Sequence, residues 1–228
     1  VAAPEGFPKL GKPDARYVYV DEGGQGVCVV YRYDKSDNSD DRPRKTFRPY
    51  DLERSAWCGP VVRPLYRLDL IRATAAEDDP PPGVMVEGEK CADALNDLGI
   101  LASTVFGGCN GVARADLSPL KGRAVIIWPD IDAPGFKFAD QLAERLNVTG
   151  AASVWVLPMS EAFLRNVTGR AALTLTYTLR KGWDAADAIA GGWGVDELQC
   201  LLRHATGIDA LAKAKGAASA ESFKGNDP

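Results

Sequence analysis

Three acidic residues stand directly after short apolar runs: Glu87 in Val86-Glu87-Gly88-Glu89-Lys90, and Asp130 and Asp132 in Trp128-Pro129-Asp130-Ile131-Asp132. In a tight turn after a strand, residues at i and i+2 can point the same way, so Asp130 and Asp132 can share one cation while Glu87 approaches from a neighbouring strand end. Three carboxylates that close repel one another unless a divalent ion neutralises them or one takes up a proton. The chemistry on offer is that of a divalent metal held by carboxylates. Taken alone, each motif is better read as a turn and helix N-cap acid stabilised by the helix dipole. Their joint occurrence on one rim is what points to a metal. Gly107-Gly108, with Asn110-Gly111 just after, adds a loop whose backbone a phosphate or a metal-bound water could approach, or a plain tight turn.

The remaining residue types narrow the choice. His204 is the only histidine, which argues against a histidine-based triad or a multi-histidine metal centre. The five cysteines, Cys28, Cys58, Cys91, Cys109 and Cys200, are scattered without a C-x-x-C pair, so neither a zinc ribbon nor a disulfide framework is supported. Any metal must then be held by oxygen, which suits Mg²⁺ or Mn²⁺. A net charge of -4 argues against coating nucleic acid through overall positive charge. Local basic sets remain. Arg42, Arg44, Lys45 and Arg48, interleaved with Phe47 and Tyr50, match the mixture a single-strand groove uses for phosphate contact and base stacking, and match a solvated hairpin edge equally well. Lys90, Arg114, Lys121 and Lys137 are available for phosphates, or are ordinary surface charge.

The elements that must position these residues fall into two parts. Of 228 residues, 46% are apolar and 25% charged, ordinary for a globular chain able to bury a real core. Residues 17–21 and 27–33, joined by a glycine-rich turn, read as a hairpin, followed by a polar loop over 34–43 and an extended segment over 45–50. Residues 64–71 form a further short apolar stretch. The proline-rich run from Ala76 to Gly83 can continue neither helix nor strand, and a subdomain boundary is expected there. Beyond it strands and helices alternate: strands at 84–86, 100–106, 124–128 and 152–157, helices at 90–98 and 135–146. Near-continuous apolar strands in that rhythm predict a parallel sheet covered on both faces, with a site at the carboxyl ends of its strands. Residues 158–181 break the rhythm, with strand-like alternation over 173–179. Residues 184–189 and 195–204 read as closing helices, and the small and charged residues after 207 read as a fraying tail. No apolar run is long enough to span a bilayer and the N-terminus lacks a signal-peptide layout, so a cytoplasmic location is expected.

Read in order, Val84-Met85-Val86-Glu87-Gly88-Glu89-Lys90 through Asp93-Ala94-Leu95, then Thr104-Val105-Phe106-Gly107-Gly108, then Val125 through Gly135, resemble a Toprim domain, most of all the version in phage, plasmid and mobile-element primases and primase-helicases. The resemblance covers roughly residues 84–190. It implies an α/β fold, a Rossmann-like four-stranded parallel sheet with flanking helices, spanning 84–206 with 158–181 inserted. A small β-rich subdomain over 1–78, similar more faintly to the segment that holds template or nucleotide in those primases, would precede it, and a flexible tail over 207–228 would follow. It implies Glu87 as a general acid/base or metal-linked residue, Asp130 and Asp132 as metal ligands for Mg²⁺ or Mn²⁺, and Asp184, with Asp187 beside it, as a further acidic position. Gly107, Gly108, Lys90 and Lys137 would face phosphate or nucleotide. One departure stands out: many primase versions place an acid four residues after the first glutamate, where this chain has Cys91. Glu89 could substitute, although a solvent-facing glutamate at a helix start is the simpler reading. The implied function is a nucleotidyl transferase making short primers on single-stranded DNA from nucleotide triphosphates, in replication of a phage or mobile element, with a helicase in cis or in trans and no membrane partner. The rivals are a Toprim nuclease and a non-catalytic DNA-binding module attached to a helicase. With no attacking tyrosine at an identifiable site, a topoisomerase ranks last.

Overall fold

The computed structural model describes residues 2–35, 44–77, 79–168 and 180–204. Arg42, the strand-like run over 173–179 and the segment after 207 lie outside these described residues.

The first sheet is antiparallel, in the order β1 (Ala15–Val20), β2 (Gly26–Lys35) and β3 (Arg44–Asp51). Tyrosines and valines recur along β1 and β2 and suit a pleated surface; residues 28–33 of β2 are buried on both faces, whereas β1 leaves Arg16 and Val18 exposed. Tyr17, Tyr19, Cys28 and Val30 face the main core, while Val29, Tyr31, Tyr33 and Tyr50 close a smaller one around Trp57 and Phe7. The apolar stretch after Pro64 becomes a short helix, α1 (Leu68–Ala73), which starts from a left-handed Arg67 (φ 54°) and buries Leu68 and Ile71.

The second sheet is parallel, in the order β5-β4-β6-β7, from β4 (Gly83–Met85), β5 (Ala102–Ser103), β6 (Ala124–Ile127) and β7 (Ser153–Val156). The expected strand at 100–106 shrinks to two residues because it is an edge: Val105 turns away and bridges Leu65 in antiparallel sense. Alternation sends Val84, Val86, Ile126 and Trp128 into one core layer and Met85, Val125 and Ile127 into the other. The first layer is covered by α2 (Glu89–Asn96), the short helix α5 (Ala185–Ala190), a helix over 195–204 and the tyrosines of the antiparallel sheet. The second is covered by α3 (Ala133–Thr149), whose Phe138, Ala139, Leu142 and Leu146 recur at helical spacing, and by Leu65 and Ile71. Residues 161–168, inside the stretch that breaks the rhythm, form another helix, α4 (Glu161–Thr168).

Candidate active site

The Gly88 turn after β4, the Pro129 turn after β6 and the entry to α5 all open on one rim, the carboxyl ends of the parallel strands. Asp132 is the N-cap of α3, its Oδ1 accepting from the Gly135 N–H at 2.9 Å. Asp184 caps α5 in the same way, accepting from the Asp187 N–H at 2.8 Å. The capping role and the rim position therefore coincide in these two residues. Gly135 allows the tight return of the chain: a Cβ there would collide with the Asp130 backbone.

Asp130 sits where these groups converge. Burial, followed by the charges of Asp184, Glu87 and Asp132, pushes its carboxyl up to about 8, with Lys45 pulling the other way. Burial and the charge of Asp132 also raise Glu87, while the Cys109 thiol and backbone N–H, donating to its carboxylate, oppose the shift. The Thr104 hydroxyl donates to the Glu87 carbonyl at 2.9 Å and fixes the turn. Gly107 (φ 85°) and Gly108 (φ 54°) adopt left-handed backbone that brings the loop against Glu87, with 3.5 Å between the position of a Gly108 Cβ and Glu87 Cγ.

In front of this rim lies a cleft of about 500 Å³. One wall carries Glu87, Asp130 and Asp184 with the 107–110 loop; the other carries Val30, Arg32, Lys45, Phe47 and Pro49 from β2 and β3. Of the basic set expected to meet nucleic acid, Lys45 lines the cleft, whereas Arg48 lies on the other face of β3 with its guanidinium 5.3 Å from the Phe7 ring centroid. The backbone of Arg44 begins β3. Phe47 lines the cleft and Tyr50 is buried in the small core. Lys90 lines the cleft, and Lys137 is exposed and close enough to Cys109 to act on its thiol. Asp187 faces Arg180 at 3.5 Å and does not line the cleft.

Glu89 corrects the expectation of a solvent-facing helix-start residue. It is buried, accepts the Tyr19 hydroxyl at 2.8 Å and is raised chiefly by burial. Cys91 is buried too; its thiol donates to Asp184 and its sulfur accepts from the Ala186 N–H. It thus braces one of the acids from behind. Sequence reasoning missed Arg32 and Cys109 as site residues. Arg32 is buried in the cleft wall, its Nε donating to Asp34 at 2.9 Å. The only available signal for it was its period-2 register with Val30, since the facing elements are remote in sequence.

Among the described residues no three acidic, cysteine or histidine side chains come together closely enough to enclose one metal ion. The donor set nevertheless suits Mg²⁺, which takes one or two protein carboxylates and completes its shell with waters and substrate phosphates. A carboxyl pushed up by burial and by neighbouring negative charge is a group that a cation converts to its charged form.

No family model matches the sequence, and no curated protein matches it. The fold has counterparts among solved structures. A structure of the Aquifex aeolicus primase comprising its zinc-binding and RNA polymerase domains superposes with a TM-score of 0.52 at 18% identity, over 90% of this chain and 43% of that one. The Escherichia coli primase catalytic core matches with a TM-score of 0.46 at 15% identity, over 83% of this chain and 51% of that one. A DNA primase domain from Pseudomonas aeruginosa matches with a TM-score of 0.40 at 19% identity, over 62% and 42%. The chain spans about half the length of these structures or less, and the likeness to the Aquifex primase is one of fold.

Proposed function

We propose that the chain is a primase-like nucleotidyl transferase that makes short primers on single-stranded DNA, acting in the replication of a phage or mobile element, in the cytoplasm and beside a helicase. The observation that carries the reading is the meeting of Glu87, Asp130 and Asp184 on one wall of a cleft, with the charge of Asp132 also acting on Asp130, opposite a wall that carries Arg32 and Lys45, on a fold it has in common with the Aquifex primase. Among the described residues no helix is long and apolar enough to cross a membrane.

Asp130 and Asp184, with Asp132 beside them, would hold Mg²⁺ or Mn²⁺. When bound, the ion would neutralise charge on a transferring phosphoryl group. Glu87, raised by burial, would accept a proton from a primer 3′-hydroxyl more readily than an ordinary carboxylate. Lys45 and Lys90 would attract the phosphates into the cleft, and the backbone of Gly107 and Gly108 would let them approach. The β-rich residues 1–78 would act as one wall of the site and 84–206 as the other.

The test is incubation with single-stranded DNA, labelled ribonucleotides and Mg²⁺ or Mn²⁺, resolving products by size. New short oligonucleotides are expected from the native chain, falling at least about 100-fold in Glu87→Gln and in Asp130→Asn. Shortened DNA instead would assign a nuclease. Binding without any product would assign a DNA-holding module.

A further inference from the structure

The wall facing the acids has a pattern of its own. Val30 pairs with Pro49, Arg32 with Phe47 and Asp34 with Lys45 across the β2–β3 ladder, so Val30, Arg32, Phe47, Pro49 and Lys45 share one face. Phe47 is 42% exposed, while Tyr17, Tyr19 and Tyr31 of the same sheet are buried. A lone exposed phenylalanine means little. Here the ring opens into a cleft, with the apolar Val30 and Pro49 beside it and the Arg32 guanidinium directly across the ladder. Hydrogen bonds to Asp34 and Tyr17 hold that guanidinium in place. Flat apolar and guanidinium surface suits the face of a heteroaromatic ring.

We infer that Phe47 is the platform on which the base of an incoming nucleoside triphosphate stacks, with its phosphates directed past Lys45 toward Asp130. The inference rests on the proposed function. Its spatial basis is twofold. Lys45 is two residues from Phe47 on the same face, roughly 7 Å along the strand, about the separation that a ribose puts between a base and its first phosphates. Lys45 is also near enough to act on Asp130 across the cleft, so the two walls lie within one small molecule's reach. The volume, about 500 Å³, is that of a small-molecule pocket. A single nucleotide with its cation fits the charge layout: an apolar and cationic wall for base and phosphates, and an acidic wall that takes phosphate only through a divalent ion. Stacking of this kind tolerates every base, as a site that must accept all four nucleotides requires.

The experiment measures equilibrium binding of labelled ATP, of inorganic tripolyphosphate and of a single-stranded DNA oligonucleotide to the full chain in Mg²⁺, for the native protein, Phe47→Ala and Phe47→Trp. Tripolyphosphate has the phosphates without the base. Phe47→Ala should weaken ATP roughly 5- to 100-fold and leave tripolyphosphate within about a factor of two, and Phe47→Trp should restore ATP binding. Equal weakening of both ligands, or no change in ATP, would overturn the platform while leaving the proposed function standing. Loss confined to a single-stranded oligonucleotide would hand the platform to the template and overturn the inference as well. If the native chain binds neither ATP nor tripolyphosphate, the proposed function itself fails.

Discussion

With its carboxyl pushed up to about 8 from an ordinary 3.8, Asp130 keeps its proton at neutral pH in the metal-free chain. Between those values the folded chain holds a proton that the unfolded chain has lost, so the group's contribution to stability is full below about pH 4 and gone above about pH 8. Glu87 and Glu89, also raised chiefly by burial, act in the same direction. Thermal melts in chelator should therefore fall as pH rises from 5 to 8. Asp130→Asn should flatten the upper part of the fall and melt several degrees above the native chain at pH 8. Mg²⁺ or Mn²⁺ should raise the native melting temperature more at pH 8 than at pH 5, since cation and proton compete for the same oxygens. An unaltered slope in Asp130→Asn would show that the titrating group lies elsewhere.

Between elements, the Tyr19 hydroxyl and the Glu89 carboxylate form a buried bond that joins β1 to the start of α2 and so ties one sheet to the other. Removing the donor leaves a buried acceptor unpaired, and Tyr19→Phe should cost about 1–3 kcal/mol in denaturant titration. The loss should shrink when Glu89→Leu, which offers no acceptor, is the background. Equal losses in both backgrounds would mean that only ring packing had been disturbed. This bond also marks the limit of what could be read from the chain alone. The turns after β4 and β6 were legible because an apolar run followed within two residues by an acid is a local signal, and the parallel sheet followed from the alternation of such runs with helical spacing. Glu89 was misread as solvent-facing because its partner lies 70 residues away. Period 2 divides β3 into a Phe47 set and a Tyr50 set, but which set meets the acids is decided by the facing domain wall. The helix over Leu68–Ala73 escaped notice because a left-handed Arg67, without a side-chain cap, starts it where no capping residue announces a start.

Over the whole molecule, the antiparallel sheet does not own its larger core. Tyr17, Tyr19, Cys28 and Val30 pack in the same cluster as Val84, Ile126 and Trp128, and Arg123 reaches back from beside β6 to donate to the carbonyls of Pro81 and Ile71 and to the Thr74 hydroxyl. The proline-rich segment between the sheets is thus fastened at both ends. Both sheets should unfold in one cooperative transition, with far-ultraviolet and near-ultraviolet signals superimposing. Two separated transitions would show that the shared core is too weak to couple them.

That shared core holds three tryptophans against one another, with ring centroids of Trp128, Trp183 and Trp193 between 5.6 and 6.4 Å apart. Two of them lie next to the acids in the chain: Trp128 precedes Asp130 by two residues and Trp183 immediately precedes Asp184. The acidic rim is thereby wired to a natural chromophore. A cation settling on Asp130 and Asp184 should alter the tryptophan emission of the native chain, and Asp130→Asn should silence the change, so the occupancy of the site can be followed by light without a label.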